Sequence, residues 1–179
     1  MKTWIKPSFA WVLYRSGYGH KHNQERILKI KLSHDAFGQI LEQCACKHGG
    51  GGTLGRVQWD PARDLFTAEG GEPRKMLRKR AIQIGIKGRI SQFYVNSVQC
   101  IEDVTALAHE VGAAHTEMKI TRKKAKGKQA VLSQELPEHD RLPKEDIYVP
   151  MCSPEGLVRL GMLPGDTAAA VAKLGRGKV

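Results

Sequence analysis

Residues 80–86, RAIQIGI, place an isoleucine at every second position with Gln83 and Gly85 between them. A strand turns successive side chains to opposite faces, so Ile82, Ile84 and Ile86 share one face and must be buried together. Such a strand belongs at the centre of a sheet. The flanking segments carry the other period. Phe9, Val12 and Leu13 recur at helical spacing within 8–16, and Ala36, Phe37, Ile40, Leu41 and Cys44 form a second stripe behind the capping residues Ser33 and Asp35. Ile90, Phe93 and Tyr94 predict a short helix, and Val104, Leu107 and Val111 a longer one over 102–111. Leu28, Ile30 and Leu32 alternate with Lys29 and Lys31, which predicts a half-buried strand; runs at 56–59 and 98–101 give two more. Pro61 is expected to stop the 56–59 strand. This mixed order predicts an α+β fold, one small twisted mixed sheet with helices packed on it, rather than a bundle or a sandwich.

The chain divides by composition. Residues 1–115 are expected to form the α+β core, 116–146 a basic and then Pro- and acid-rich linker or insertion, and 147–179 a C-terminal strand and helix extension. Within that extension Ser153-Pro154-Glu155 has the form of a helix start. With 29 Lys and Arg against 18 Asp and Glu, the net charge of +11 calls for an anionic partner, a nucleotide or nucleic acid. No apolar run approaches the ~20 residues of a membrane span, and MKTWIKPSF lacks the apolar stretch of a signal peptide. The expected location is therefore cytoplasmic or nuclear, with no membrane partner and no secretion. Cys44, Cys46, Cys100 and Cys152 read as reduced thiols; Cys-Ala-Cys lacks the two-residue spacer of a zinc knuckle, so no metal is expected even though His48 lies nearby. The glycines at 49–52 lack the Gly-Lys-Ser/Thr ending of a phosphate loop and read as a linker.

The candidate site lies in TWIKPSFAWVLYRSGYGHKHNQER, residues 3–26. Aromatic faces beside fixed cations and hydroxyls suit a flat, phosphate-bearing ligand, because stacking and charge-assisted hydrogen bonds then act together. The ligand-binding candidates are Lys6, Ser8, Tyr14, Arg15, Ser16, Gln24 and Arg26, joined by Gln83 from the polar face of the central strand. Glu25 and Asp60 are the catalytic candidates. Glu25 serves equally as an ion-pair partner for Arg26 or Lys29, and an Asp before Pro more often caps a turn. Two basic clusters, Arg74, Lys75, Arg78, Lys79 and Arg80, then Lys123 and Lys124 within the lysine tract, supply either nonspecific nucleic-acid affinity or solvated charge. No Ser-His-Asp order, HExxH or paired CxxC is present.

Taken in order, TWIKPSFAWVLYRSG, QERILKIKL, RVQWDPARDL, RAIQIGIKG and IEDVT, followed by LPKEDIYVP and LGM, resemble the family catalogued as domain of unknown function 4291. The family generally carries a further segment, with a strand of the form VYQAY, before the first of these, whereas this sequence starts almost at that block. The resemblance implies a fold and a motif order but no chemistry. Trp59-Asp60 at the end of one strand, ahead of an aliphatic strand ending in Gly, also resembles small domains allied to the ADP-ribosyltransferase fold, which grip NAD in a split sheet. That likeness implies NAD as a cofactor and an enzyme. The sequence thus points first to nucleotide or nucleic-acid binding, with an ADP-ribosyltransferase-like enzyme and a non-catalytic interaction protein as alternatives.

Overall fold

The computed structural model describes residues 2–46, 54–63, 76–124 and 141–163. In chain order the elements are β1 (Lys2–Ile5), α1 (Phe9–Ser16), β2 (Leu28–Lys31), α2 (His34–Glu42), β3 (Cys44–Cys46), β4 (Gly55–Arg63), β5 (Met76–Lys87), α3 (Arg89–Asn96), β6 (Cys100–Asp103), α4 (Thr105–Lys124) and α5 (Pro154–Arg159). Four strands form a mixed sheet in the order β1-β5-β4-β3. β5 runs antiparallel to both neighbours and β3 runs parallel to β4. β2 and β6 form a separate antiparallel pair, so the fold is α+β with a mixed sheet.

The isoleucine alternation sets the core. Ile84 and Ile86 are fully buried on the central strand and pack with Ile40, Leu41, Cys44, Val57, Ile90 and Leu160. A second cluster joins α1 to α4 through Phe9, Leu13, Val104, Ala108 and Val111, with Leu142 added from the C-terminal segment. Ser33 and Ser153 cap α2 and α5, accepting the N–H groups of Ala36 and Gly156.

Several elements differ from the sequence expectation, each for a physical reason. β1 was not anticipated; Lys2–Ile5 is too short to show a period of its own and is stabilised by its ladder to β5. Cys44 leaves the α2 stripe and opens β3, whose pairing with β4 satisfies its backbone. Pro61 does not end β4, because it lies beside a register shift between Pro61 and Arg63, where a missing N–H is tolerated. Along the predicted apolar face of β2, Ile30 and Leu32 are partly buried while Leu28 is 47% exposed, and Ile101, paired with Ile30, is 59% exposed, since a two-stranded ribbon offers little to bury them. α4 continues past Val111 to Lys124, where Ala, Glu, Lys and Arg favour the helix. The glycines at 49–52, read as a linker, and the Ala-rich segment after Gly165 lie outside the described residues.

Candidate functional site

The block at 3–26 folds as an edge strand, a capped helix and a loop. Ser8 accepts the Trp11 N–H at 3.3 Å to start α1, and Gly17 ends the helix in the left-handed region at φ +59, with the Tyr18 N–H bonded to Leu13. These two signals fix where Lys6 leaves β1 and where Arg15 leaves the last turn. Both side chains line one cleft of about 610 Å³. Trp4, Ile5, Phe9 and Val12 continue this wall; Gln24, Arg26 and β2 residues Leu28–Ile30 form the facing one. The third side is aromatic: His34 and Phe37 of α2, Tyr94 of α3, and Tyr148. Tyr148 stacks on His34 with ring centroids 5.7 Å apart and meets Phe37 at 5.3 Å. Trp4 covers Gly85 of the neighbouring strand, where an added Cβ would come within 3.1 Å of the indole.

Electrostatics single out Lys6, with Arg15 beside it. Burial holds the half-buried Lys6 ammonium below its ordinary pKa of 10.5, the Arg15 charge lowers it further, and Asp60 offsets part of this. Among the described residues neither cation is in an ion pair, whereas Arg26, Lys29, Arg141 and Arg159 each are. Arg26, although it lines the cleft, donates from Nε and Nη2 to Asp103 Oδ2 at 3.2 and 2.7 Å. Its role is to tie the 24–27 loop to β6.

Asp103 also accepts the Thr105 hydroxyl at 2.6 Å and the Thr105 N–H at 3.0 Å. The Thr105 hydroxyl bond, then the Arg26 bond, hold this carboxyl down at about 2, from an ordinary 3.8. A carboxyl depressed by folding contributes stability above its unfolded pKa and loses it as pH falls through the folded one. Asp103→Asn is therefore expected to remove part of the stability lost between about pH 4 and pH 2. Thermal unfolding followed across that range checks this, and an unchanged pH profile would count against it.

Of the other ligand-binding candidates, Ser16 and Gln24, like Arg26, border the cleft, and the rest do not. Ser16 borders the cleft, but its buried hydroxyl donates to Leu13 O at 3.4 Å and accepts the Gly19 N–H at 3.1 Å, a local loop clasp. Gln24 is exposed at the rim. Ser8, Tyr14 and Gln83 do not line the cleft. Tyr14 stacks on Trp11 at 5.3 Å, with the Arg63 guanidinium 4.0 Å above its ring. Gln83 donates to Gln58 Oε1 at 3.0 Å and to Asp60 Oδ2 at 2.6 Å, on the sheet face opposite Ile82, Ile84 and Ile86. Asp60 does not line the cleft, although its charge reaches Lys6, and Glu25 accepts the Asn23 N–H at 2.9 Å in solvent. Arg78, Lys79 and Arg80 lie on β5, Lys123 and Lys124 in the last turn of α4, and Arg74 and Lys75 outside the described residues. Cys44 and Cys46 donate to the Ile40 and Leu160 carbonyls, His48 lies outside the described residues, and among those described no three His, Cys, Asp or Glu gather as a metal cluster.

Sequence reasoning missed the aromatic side. Phe37 and Tyr94 sit on helical stripes that read as core, and Tyr148 sits in an extended segment with no period to flag it. It also missed Glu145, whose Oε1 accepts from the Phe9 N–H at 2.6 Å and the Ala10 N–H at 3.3 Å.

The motif order and the fold meet in one comparison. A family model, Domain of unknown function (DUF4291), matches residues 1–148. The chain belongs to the DUF4291 family. The DUF4291 match takes in Lys6, Arg15, β2, α2, α3 and Tyr148, and hence each side of the cleft. No curated protein and no solved structure matches the chain. No helix among the described residues of this DUF4291 chain is long and apolar enough to cross a membrane.

Proposed function

We propose that the cleft binds a nucleotide, with phosphate on Lys6 and Arg15 and the base against His34, Phe37, Tyr94 and Tyr148. One observation carries this reading: Lys6 is partly desolvated beside the exposed Arg15 charge, its pKa is lowered even though Asp60 offsets part of the effect, and neither cation has an ion-pair partner among the described residues. Holding like charges together costs free energy in the free protein, and an anion removes that cost. A phosphate also accepts the Arg fork bidentately, and flat aromatic faces suit a base. The volume of about 610 Å³ lies within the roughly 300–1,000 Å³ usual for ligand clefts.

Titration with ADP at low salt is expected to give saturable one-to-one binding that weakens as salt is raised. It is also expected to weaken as pH rises through the lowered Lys6 pKa, earlier than 10.5, since the protonated form is the binding form. ADP binding of equal strength in Lys6→Met, or none in the wild type, overturns the reading. If single-stranded RNA bound the wild type and Lys6→Met alike, function would move to the basic residues of β5 and α4.

A second reading, an ADP-ribosyltransferase-like enzyme, is favoured by one feature: β1 and β2 belong to separate sheets and both border the cleft. Its chemistry would need a carboxylate near the ligand, and neither Glu25 nor Asp60 lines the cleft. Release of nicotinamide from NAD by the wild type, abolished in Arg15→Ala, would select it; intact NAD after prolonged incubation would dismiss it.

A further inference from the structure

Residues 141–150 have neither helix nor strand, yet they are held at both ends. At one end Leu142 is buried in the α1–α4 cluster and Arg141 pairs with Glu110 of α4 at 3.0 Å. At the other, Tyr148 stacks on His34 and meets the tilted ring of Phe37, both of α2, and the Ser153 N–H and hydroxyl donate to the Glu42 carboxylate at 2.9 and 2.6 Å. The segment therefore passes from the α1–α4 side to the α2 side and gives Pro143 and Tyr148 to the cleft. Midway, Glu145 Oε1 accepts three donors: the Phe9 N–H at 2.6 Å, the Ala10 N–H at 3.3 Å and the Ser8 hydroxyl at 3.3 Å. The neighbouring Ile147 and Val149 are 88% and 78% exposed, so these two apolar side chains do not add to the anchoring supplied by Leu142 and Tyr148.

We infer that Glu145 is a positioning residue that clamps the 141–150 strap to the start of α1 and thereby sets Tyr148 as a wall of the nucleotide cleft. The inference rests on the cleft reading above. A carboxylate on the first-turn N–H groups gains from both charge assistance and the helix dipole, and these donors have no partner within the helix. Glu145 does not line the cleft, so it acts on a ligand only through the strap. Lys6 precedes the clamped turn by two residues, which joins the phosphate end and the aromatic side of the cleft to one set of hydrogen bonds.

The test compares Glu145→Ala, Glu145→Gln and Lys6→Met in the full chain, by amide hydrogen exchange without nucleotide and by ADP titration. Glu145→Ala is expected to speed exchange across 143–149 and to weaken ADP binding, each by about tenfold. Glu145→Gln, which keeps an oxygen acceptor at the same reach, is expected to restore most of both. Lys6→Met should lose ADP binding while strap exchange stays as in the wild type, a separation that a general loss of structure would not give. Unchanged strap exchange in Glu145→Ala, or faster exchange with ADP affinity intact, overturns the positioning role alone. Failure of the wild type to bind ADP overturns the cleft reading and this role with it. If Glu145→Ala does not fold, Glu145→Asp, which draws the carboxylate back by one methylene, takes its place under the same criteria.

Discussion

Lys6→Met combined with Arg15→Ala is expected to weaken ADP binding by roughly 10²–10⁴-fold while leaving the unfolding temperature unchanged or raised. A hydrogen bond between charged partners is worth about 1.5–3 kcal/mol, so two of them lost together give that range. The stability half of the prediction is the more telling. A side chain that only supports the fold costs stability when removed, but Lys6 is partly desolvated and faces the Arg15 charge, so its protonated form is disfavoured by folding. The unfolded chain binds this proton more tightly, and the cost is fully present below the folded pKa. As pH rises from the folded pKa towards 10.5 the cost fades, so any advantage of Lys6→Met in thermal unfolding should shrink along that interval. Methionine keeps the length of the stem and removes the charge. A large fall in unfolding temperature at neutral pH would mark Lys6 as a structural residue instead.

Ile84→Ala is expected to cost about 2–5 kcal/mol, a sizeable share of the roughly 5–15 kcal/mol that holds a domain of this size. Ile84 is fully buried on β5, between strands β1 and β4, and packs in the cluster of Ile40, Leu41, Val57 and Ile90. Truncation leaves a cavity that a strand bonded on both edges cannot collapse to fill. Leu28→Ala is the matched control. At 47% exposure on a two-stranded ribbon, it should stay within about 0.5 kcal/mol of wild type by denaturant unfolding. Equal losses at the two positions would contradict the placement of the core.

These two residues also measure what the sequence could tell. Ile84 and Leu28 both sit in alternating runs, and the period alone gives them the same burial. What separates them is the number of strands that pair alongside, a long-range property absent from a seven-residue window. Pro61 misleads for a similar reason, because the irregular register beside it is set by the partner strand. That Lys6 and Arg15 line one cleft was partly legible, because a capped helix ended by a left-handed glycine sets both within a few residues of chain. Tyr14 belonged to the same block yet faces Trp11 and Arg63 instead of the cleft, a choice made by α1 packing beside β4. Tyr148 and Glu145 were not legible. Their partners lie more than a hundred residues away in sequence, and an extended segment gives no period from which to infer a face.

The central claim is that Lys6 and Arg15 hold a phosphate, and it is tested most directly at the Lys6 ammonium. Nitrogen-15 NMR titration of the Lys6 side chain, free and saturated with ADP, reads the proton itself. The account predicts a Lys6 pKa below 10.5 in the free protein that moves upward when ADP is bound, with Arg15→Ala reducing the depression. A Lys6 that titrates identically with and without saturating ADP would contradict it.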